Sequence, residues 1–283
     1  VPRTLLDERQ GSVKSLDWRT HGIWLAVIVL ALVAIPIAPG FLSPRNLLNL
    51  LRQAAPLGIV SLGITLVMVA RRVDLSVGAI ASLAAVMSAA LMGGSDSRLP
   101  LALGSAVLMG AVVGWLNGLL VARGRLEPFV TTLGVAILLT GVNRLVTGGT
   151  AFGVLAPSFR KVLNGRWWSV PIVVVVLVLL IVVAAYVLHK TRFGRALYLT
   201  GANEAAAWLS GVKTRRAVIG AYVISGVTGA IAGILLLARY GISGNLIGEG
   251  YEFDALAAAV LGGTTFEGGK GSIAGTVAGV LLL

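Results

Sequence analysis

The chain has 283 residues, 57% of them hydrophobic and 12% charged, with a formal net charge of +12 and no cysteine. Soluble domains carry about 25% charged residues, so this composition, with several apolar runs of about 18 residues or more, excludes a soluble globular domain and indicates an all-α polytopic membrane protein. Zero cysteines exclude a disulfide framework, thiolate chemistry and Cys-ligated metal, and the basic surplus lacks the aromatic-interleaved runs of a nucleic-acid surface.

Residues 1–22 are polar and mixed in charge, without the short apolar core and small-residue cleavage site of a signal peptide. They read as a cytoplasmic tail ahead of a single transmembrane domain, 23–283. Spans are predicted at 23–41, 47–70, 77–92, 99–122, 129–146, 170–188 and 217–238. An eighth apolar piece, 253–262, is too short to cross about 30 Å of hydrocarbon at about 1.5 Å per residue. A last span begins near Ser272. The first residue is Val and the last three are leucines inside an apolar run, so further residues are expected at both ends, the C-terminal span or spans among them. With the N-terminus in the cytoplasm, that side carries about twice as many Lys and Arg residues as the other, the bias that sets orientation. This places the loop 190–216 in the cytoplasm and the loop 147–169 outside.

Two stretches interrupt the helical pattern inside the apolar mass, Arg71-Arg72-Val73-Asp74-Leu75-Ser76-Val77-Gly78 and Gly248-Glu249-Gly250-Tyr251-Glu252-Phe253-Asp254. Each sets an Asp before an Ala-rich helix, where a carboxylate can cap free N–H groups and complement the helix dipole. Asp74 and Asp254 are therefore expected as helix-break caps, with proton or ion sites as the alternative. Each break is followed by a Gly ladder, Gly110, Gly114, Gly118 and Gly271, Gly275, Gly279, a pattern that lets helices approach closely in lipid. The pairing suggests two related halves, as in many transporters.

In the outer loop, Arg160, Lys161 and Arg166 beside Trp167-Trp168 read as an amphipathic segment, serving as an interfacial anchor, as a dock for an acidic partner, or as both. The loop 190–216 is basic and Gly-punctuated, with Glu204 its one acidic residue. Inside it Glu204-Ala205-Ala206-Ala207-Trp208-Leu209 reads as a short helix between Gly201 and Gly211, a rigid lever on two joints. The stretch from Gly262 to Ser272 resembles a phosphate loop but fails its pattern, because Thr264 stands where Gly is needed and Gly271 where Ser or Thr is needed. His21 and His189 are far apart with no partnering motif, so no metal site, catalytic residue or enzyme activity is expected of this chain.

Several motifs, taken in order, carry a family resemblance. They are Val73-Asp74-Leu75-Ser76-Val77-Gly78, Asn117-Gly118-Leu119-Leu120-Val121, Pro128-Phe129-Val130-Thr131-Thr132-Leu133-Gly134, Thr191-Arg192-Phe193-Gly194-Arg195 with Gly201-Ala202-Asn203-Glu204-Ala205-Ala206, and Gly248-Glu249-Gly250-Tyr251-Glu252 through Gly262-Gly263-Thr264. From about Leu47 onward the chain resembles the permease subunits of ribose/xylose-type monosaccharide ABC importers. Arg71-Arg72 departs from that pattern, in which a small or Gly pair is usual.

The resemblance implies a many-helix importer permease of the bacterial inner membrane that dimerises with itself, meets a sugar-binding protein outside and ABC ATPase subunits inside, and leaves ATP and Mg to the ATPase. It implies that Gly201, Asn203, Glu204, Ala205, Ala206, Leu209 and Gly211 form the ATPase-coupling segment. Expected pathway residues are Asn117, Thr131, Thr132 and Asn143, and expected docking residues for the binding protein are Arg160, Lys161 and Arg166. The alternative is a stand-alone secondary transporter or channel for a small polar solute.

Overall fold

The computed structural model describes residues 18–244 and 246–283. Most of the expected tail, 1–22, lies outside the described residues. The chain runs through α1 (Trp18–Ile37), α2 (Pro44–Val69), α3 (Val77–Met92), a 3-10 turn (Asp96–Arg98), α4 (Leu99–Ala122), α5 (Pro128–Thr147) and α6 (Pro157–Leu163). An antiparallel pair follows, β1 (Arg166–Trp167) and β2 (Val170–Pro171), then α7 (Ile172–Lys190), α8 (Arg192–Ala202), α9 (Glu204–Leu209), α10 (Thr214–Tyr240), α11 (Tyr251–Leu261) and α12 (Ile273–Leu282). Five described helices are long and apolar enough to cross a membrane: α2, α4 with its leading turn, α5, α7 and α10. The described part of α1, together with α3 and α12, is apolar but shorter. The fold is the all-α polytopic one that the composition indicated.

The centre of the bundle is α10, packed against α2, α3 and α4. Glycine makes this possible. A Cβ at Gly110, Gly114 or Gly118 of α4 would overlap the Gly226 carbonyl, the Tyr222 carbonyl or the Ile219 Cα of α10, so these helices touch backbone to backbone. In lipid no hydrophobic drive favours one helix pair over another, and close van der Waals packing of this kind takes its place. The second ladder works alike with one fewer rung. Gly275 and Gly279 press on the Gly262 and Ala258 carbonyls, whereas Gly271 lies in the loop before α12 and packs on Thr264.

Both predicted interruptions exist, and they meet. Helix is lost over 70–76, so α3 has 16 residues, about 24 Å of helix. After Tyr240 the chain turns at Gly241 and resumes helix only at Tyr251, giving an α11 of 11 residues. Gly248 N donates to Ser82 Oγ at 3.0 Å. A Cβ at Gly78 would strike the Gly248 carbonyl and the Glu252 carboxylate. Two short helices, each shorter than a span, therefore share one seam.

The two ends of the bundle differ. At one end Asp96 accepts from Ser158 N at 2.9 Å and Ser158 Oγ at 2.7 Å, serving free donors in the first turn of α6. Arg52 donates to Asn164, whose Nδ2 donates to the Ala238 carbonyl at 2.8 Å. The amphipathic segment predicted here is the helix α6, anchored by buried Phe159, followed by the β1–β2 hairpin with Trp168 at φ +59°. The other end carries α8 and α9.

Candidate functional site

At the end of α7, Thr191 takes an extended conformation and its Oγ1 accepts from Gly194 N at 3.1 Å, which caps α8. Phe193, Gly194, Leu197, Thr200 and Gly201 recur at helical spacing and face inward, and α8 packs on α2, α7 and α10. Arg192 and Arg195 stay exposed. Sequence reasoning found α9 and missed α8; the apolar spacing was the available signal, hidden in a composition rich in Gly, Thr and Arg.

Asn203, at φ −161°, ψ 103°, separates the two helices, and its Oδ1 accepts from Ala206 N at 3.0 Å to cap α9. Ala207 faces inward, while Ala205, Ala206, Trp208 and Leu209 face out, the last two 67% and 78% exposed. The helix closes with Gly211 N on the Trp208 carbonyl at 2.9 Å and Val212 N on the Ala207 carbonyl at 3.0 Å. Gly211 sits at φ +81°, the left-handed residue of a Schellman ending. Gly201 corrects the two-joint reading. It lies inside α8, buried, where a Cβ would overlap the Val69 carbonyl and the Gly269 amide. Gly201 is a contact, and the joint on that side is Asn203.

Three segments converge under this platform. Gly269 N donates to the Val69 carbonyl at 2.9 Å. Tyr198 OH donates to the Gly271 carbonyl at 2.7 Å, and burial pushes its pKa up, which keeps it a donor. Arg72 Nη2 meets Glu204 Oε2 at 2.6 Å. Helix α2 itself ends with Arg71 N on the Met68 carbonyl at 2.8 Å and Arg72 N on the Val67 carbonyl at 3.1 Å. This is a second Schellman ending, with Arg71 at φ +60° in the position glycine fills most easily. The platform thus holds the start of the first break and the loop that leads out of the second short helix.

Beyond Arg72, the break is held by a polar network. Asp74 Oδ1 accepts from Ser76 N at 2.9 Å and Ser76 Oγ at 2.6 Å, and Oδ2 accepts from Ser225 Oγ at 2.7 Å. Asn117 Nδ2 donates to Ser76 Oγ at 2.8 Å, Leu75 N donates to Thr132 Oγ1 at 3.0 Å, and Tyr222 OH donates to the Val73 carbonyl at 2.8 Å. These bonds supply partners to backbone and hydroxyl groups that lipid could not satisfy.

Asp74 was expected to cap α3; the residue at the N-cap is Ser76, and Asp74 takes the Ser76 N–H from two residues ahead while its other oxygen ties the break to α10. Asp254 was expected to cap α11, but that helix begins at Tyr251 behind Gly250, so Asp254 lies inside its first turn and is exposed. Of the four expected pathway residues, Asn117 and Thr132 are spent on the break, Thr131 bonds the Glu127 carbonyl at 2.7 Å, and Asn143 is buried further along α5. Arg160, Lys161 and Arg166 are exposed at the opposite end. Ser76, Tyr222 and Ser225 complete the network without having been foreseen; each sits on an apolar helix face or in a turn, where a hydroxyl alone is a weak signal.

Comparison with known proteins gives the chain its family. The family described as branched-chain amino acid transport system / permease component matches residues 46–283. The ribose import permease proteins of Escherichia coli (strain K12) and Bacillus subtilis (strain 168) are each 38% identical, over 92% and 93% of this chain and 82% of theirs. The galactose/methyl galactoside import permease protein of E. coli (strain K12) is 36% identical over 92% of this chain and 83% of its own length. No solved structure gives a significant match.

Proposed function

Because the chain belongs to the branched-chain amino acid transport system / permease component family, among the sugar ABC importer permeases, we propose that it forms the monosaccharide pathway of an importer driven by a separate ATPase. It is a multi-pass protein of the inner membrane. The observation that carries the reading is α9, six residues long, capped at both ends, with Trp208 and Leu209 outward and Glu204 bonded to Arg72. An exposed apolar helix face clamped to the end of a broken span suits docking by a partner that must move that span.

In this reading the α8–α9 end is cytoplasmic and Glu204, Ala205, Ala206, Trp208 and Leu209 meet the ATPase. Asn203 and Gly211 flank the docking helix, and Gly201 passes its displacement to α2. ATP and Mg stay with the partner. Two copies of the chain enclose the pathway, and Arg160, Lys161 and Arg166 at the other end receive an acidic sugar-binding protein. A stand-alone transporter gives way to this reading because the relatives are permease components.

The test is a charge on the docking face, Ala205→Glu or Ala206→Glu. Both ATPase co-purification and ATP-driven uptake of ribose or galactose in proteoliposomes should fall. Survival of both in either variant overturns the assignment.

A further inference from the structure

The open face of α11 carries a charge where lipid would not tolerate one. Ala255, Ala258 and Ala259 turn inward, and α11 packs on α2 and α12. Phe253, Asp254, Ala257 and Leu261 are exposed. From Asp254 to Leu261, at the platform end of the helix, is about 10 Å at 1.5 Å per residue. In the other direction, Gly248 is bonded to Ser82, and Ser82 lies about 15 Å of helix before the end of α3 at Met92. Asp254 is therefore deep within the layer the spans cross. Among the described residues no hydrogen bond or salt bridge holds its carboxylate; the one salt bridge is Arg72–Glu204.

Ionisable side chains at such depth face a bundle interior or a water-filled cavity, not lipid. The middle of α5 obeys this rule: exposed Ile137 and Leu138 have no charged residue within a turn on either side, and Arg144 lies in the last turn of the helix. Transporter substrate sites also lie near the bilayer midplane at discontinuous helices, and α11 is one of the two here.

Building on the importer reading above, we propose that Phe253 and Asp254 line the water-filled pathway and contact the sugar as it passes. Asp254 accepts hydrogen bonds from sugar hydroxyls, which are strong when the acceptor is ionised. The exposed ring of Phe253 offers an apolar surface to the C–H face of the sugar ring. Few polar groups on an otherwise apolar wall are the usual make-up of a small-molecule site. Exposed Glu249, just ahead of the helix, extends the acceptor surface in the direction of the outer end.

The chain has no cysteine, so single cysteines report water access directly in the assembled importer. Asp254→Cys and Ala257→Cys should react with a membrane-impermeant, charged methanethiosulfonate, and added ribose or galactose should slow the reaction. Ile137→Cys and Leu138→Cys should not react. In proteoliposomes, Asp254→Asn should cut the initial uptake rate at low sugar by at least about tenfold, the loss expected when a charge-assisted hydrogen bond goes, and Phe253→Leu should raise the sugar concentration at half-maximal rate. Absence of labelling at both cysteines, with Asp254→Cys chains forming a disulfide to each other, would seat a second copy on this face and overturn the proposal. Labelling with unaltered uptake in both Asp254→Asn and Phe253→Leu would equally overturn the sugar contact. If the unmodified importer moves no sugar, the importer reading fails, while the labelling pattern still decides whether the face is wet.

Discussion

Arg72 Nη2 lies 2.6 Å from Glu204 Oε2, joining the first residue of α9 to the residue two before Asp74. Helix α9 and the broken span are thus connected by a charge pair, with the Asp74 network directly behind it. The partners are 19% and 44% exposed, so the pair adds no more than about 1 kcal/mol to stability. In the proposed importer its value is in transmission. Arg72→Gln should move thermal unfolding little but lower the sugar imported per ATP hydrolysed, and the reversed pair Arg72→Glu with Glu204→Arg should recover part of the loss.

Arg71 occupies a left-handed position at φ +60°. A side chain there costs roughly 1 kcal/mol, which glycine avoids, less its own entropic cost in the unfolded chain. Arg71→Gly should therefore stabilise the purified permease slightly, by roughly 0.5 kcal/mol. Arg71→Val, branched at Cβ, should destabilise it. Thermal unfolding in detergent measures both.

Asp74 receives three hydrogen bonds. Asp74→Ala strands the Ser76 and Ser225 hydroxyls and should cost about 2–4 kcal/mol. Ser225→Ala strands one buried carboxylate oxygen and should cost less, about 1.5–2 kcal/mol. An equal loss in the two variants, read by thermal unfolding, would mean that the network does not hold the break.

Gly114 has the Tyr222 carbonyl where a side chain would begin. Gly114→Leu should force α4 from α10 and drag the Tyr222 hydroxyl off Val73, so the variant should be lost as a monodisperse peak in size-exclusion chromatography. Gly104→Leu is the control, since nothing lies within 4 Å of a Cβ there.

At the opposite end, replacing Arg160, Lys161 and Arg166 together by Glu should weaken stimulation of the ATPase by the binding protein, and added salt should weaken it in the native chain as well. Stimulation that resists both the triple variant and salt would remove these residues from the docking surface.

Much of the fold was legible in the residues because lipid leaves few choices. Uncharged runs such as that in α7 can only be spans, and the breaks at Asp74 and Gly248 stood out against them. What the sequence concealed was partnership. Nothing local says that Gly201 presses on Val69, that Arg72 reaches Glu204 132 positions away, or that Ser225 serves Asp74. Asp254 shows the limit in the other direction: its place ahead of an Ala run reads as a cap, yet Gly250 in the left-handed conformation starts the helix four residues sooner than the Asp would.

The contact of Gly201 with Val69 is backbone on backbone, with no side chain between them to bend or change rotamer. Such a seam leaves no side chain to absorb a push of α8 against the end of α2. The neighbouring Arg72–Glu204 pair is the opposite kind of link, made through two long side chains, one mostly buried and the other 44% exposed. The α8–α9 end is therefore joined to the first break by two links of different make, one backbone and one side chain, and the two can be broken separately.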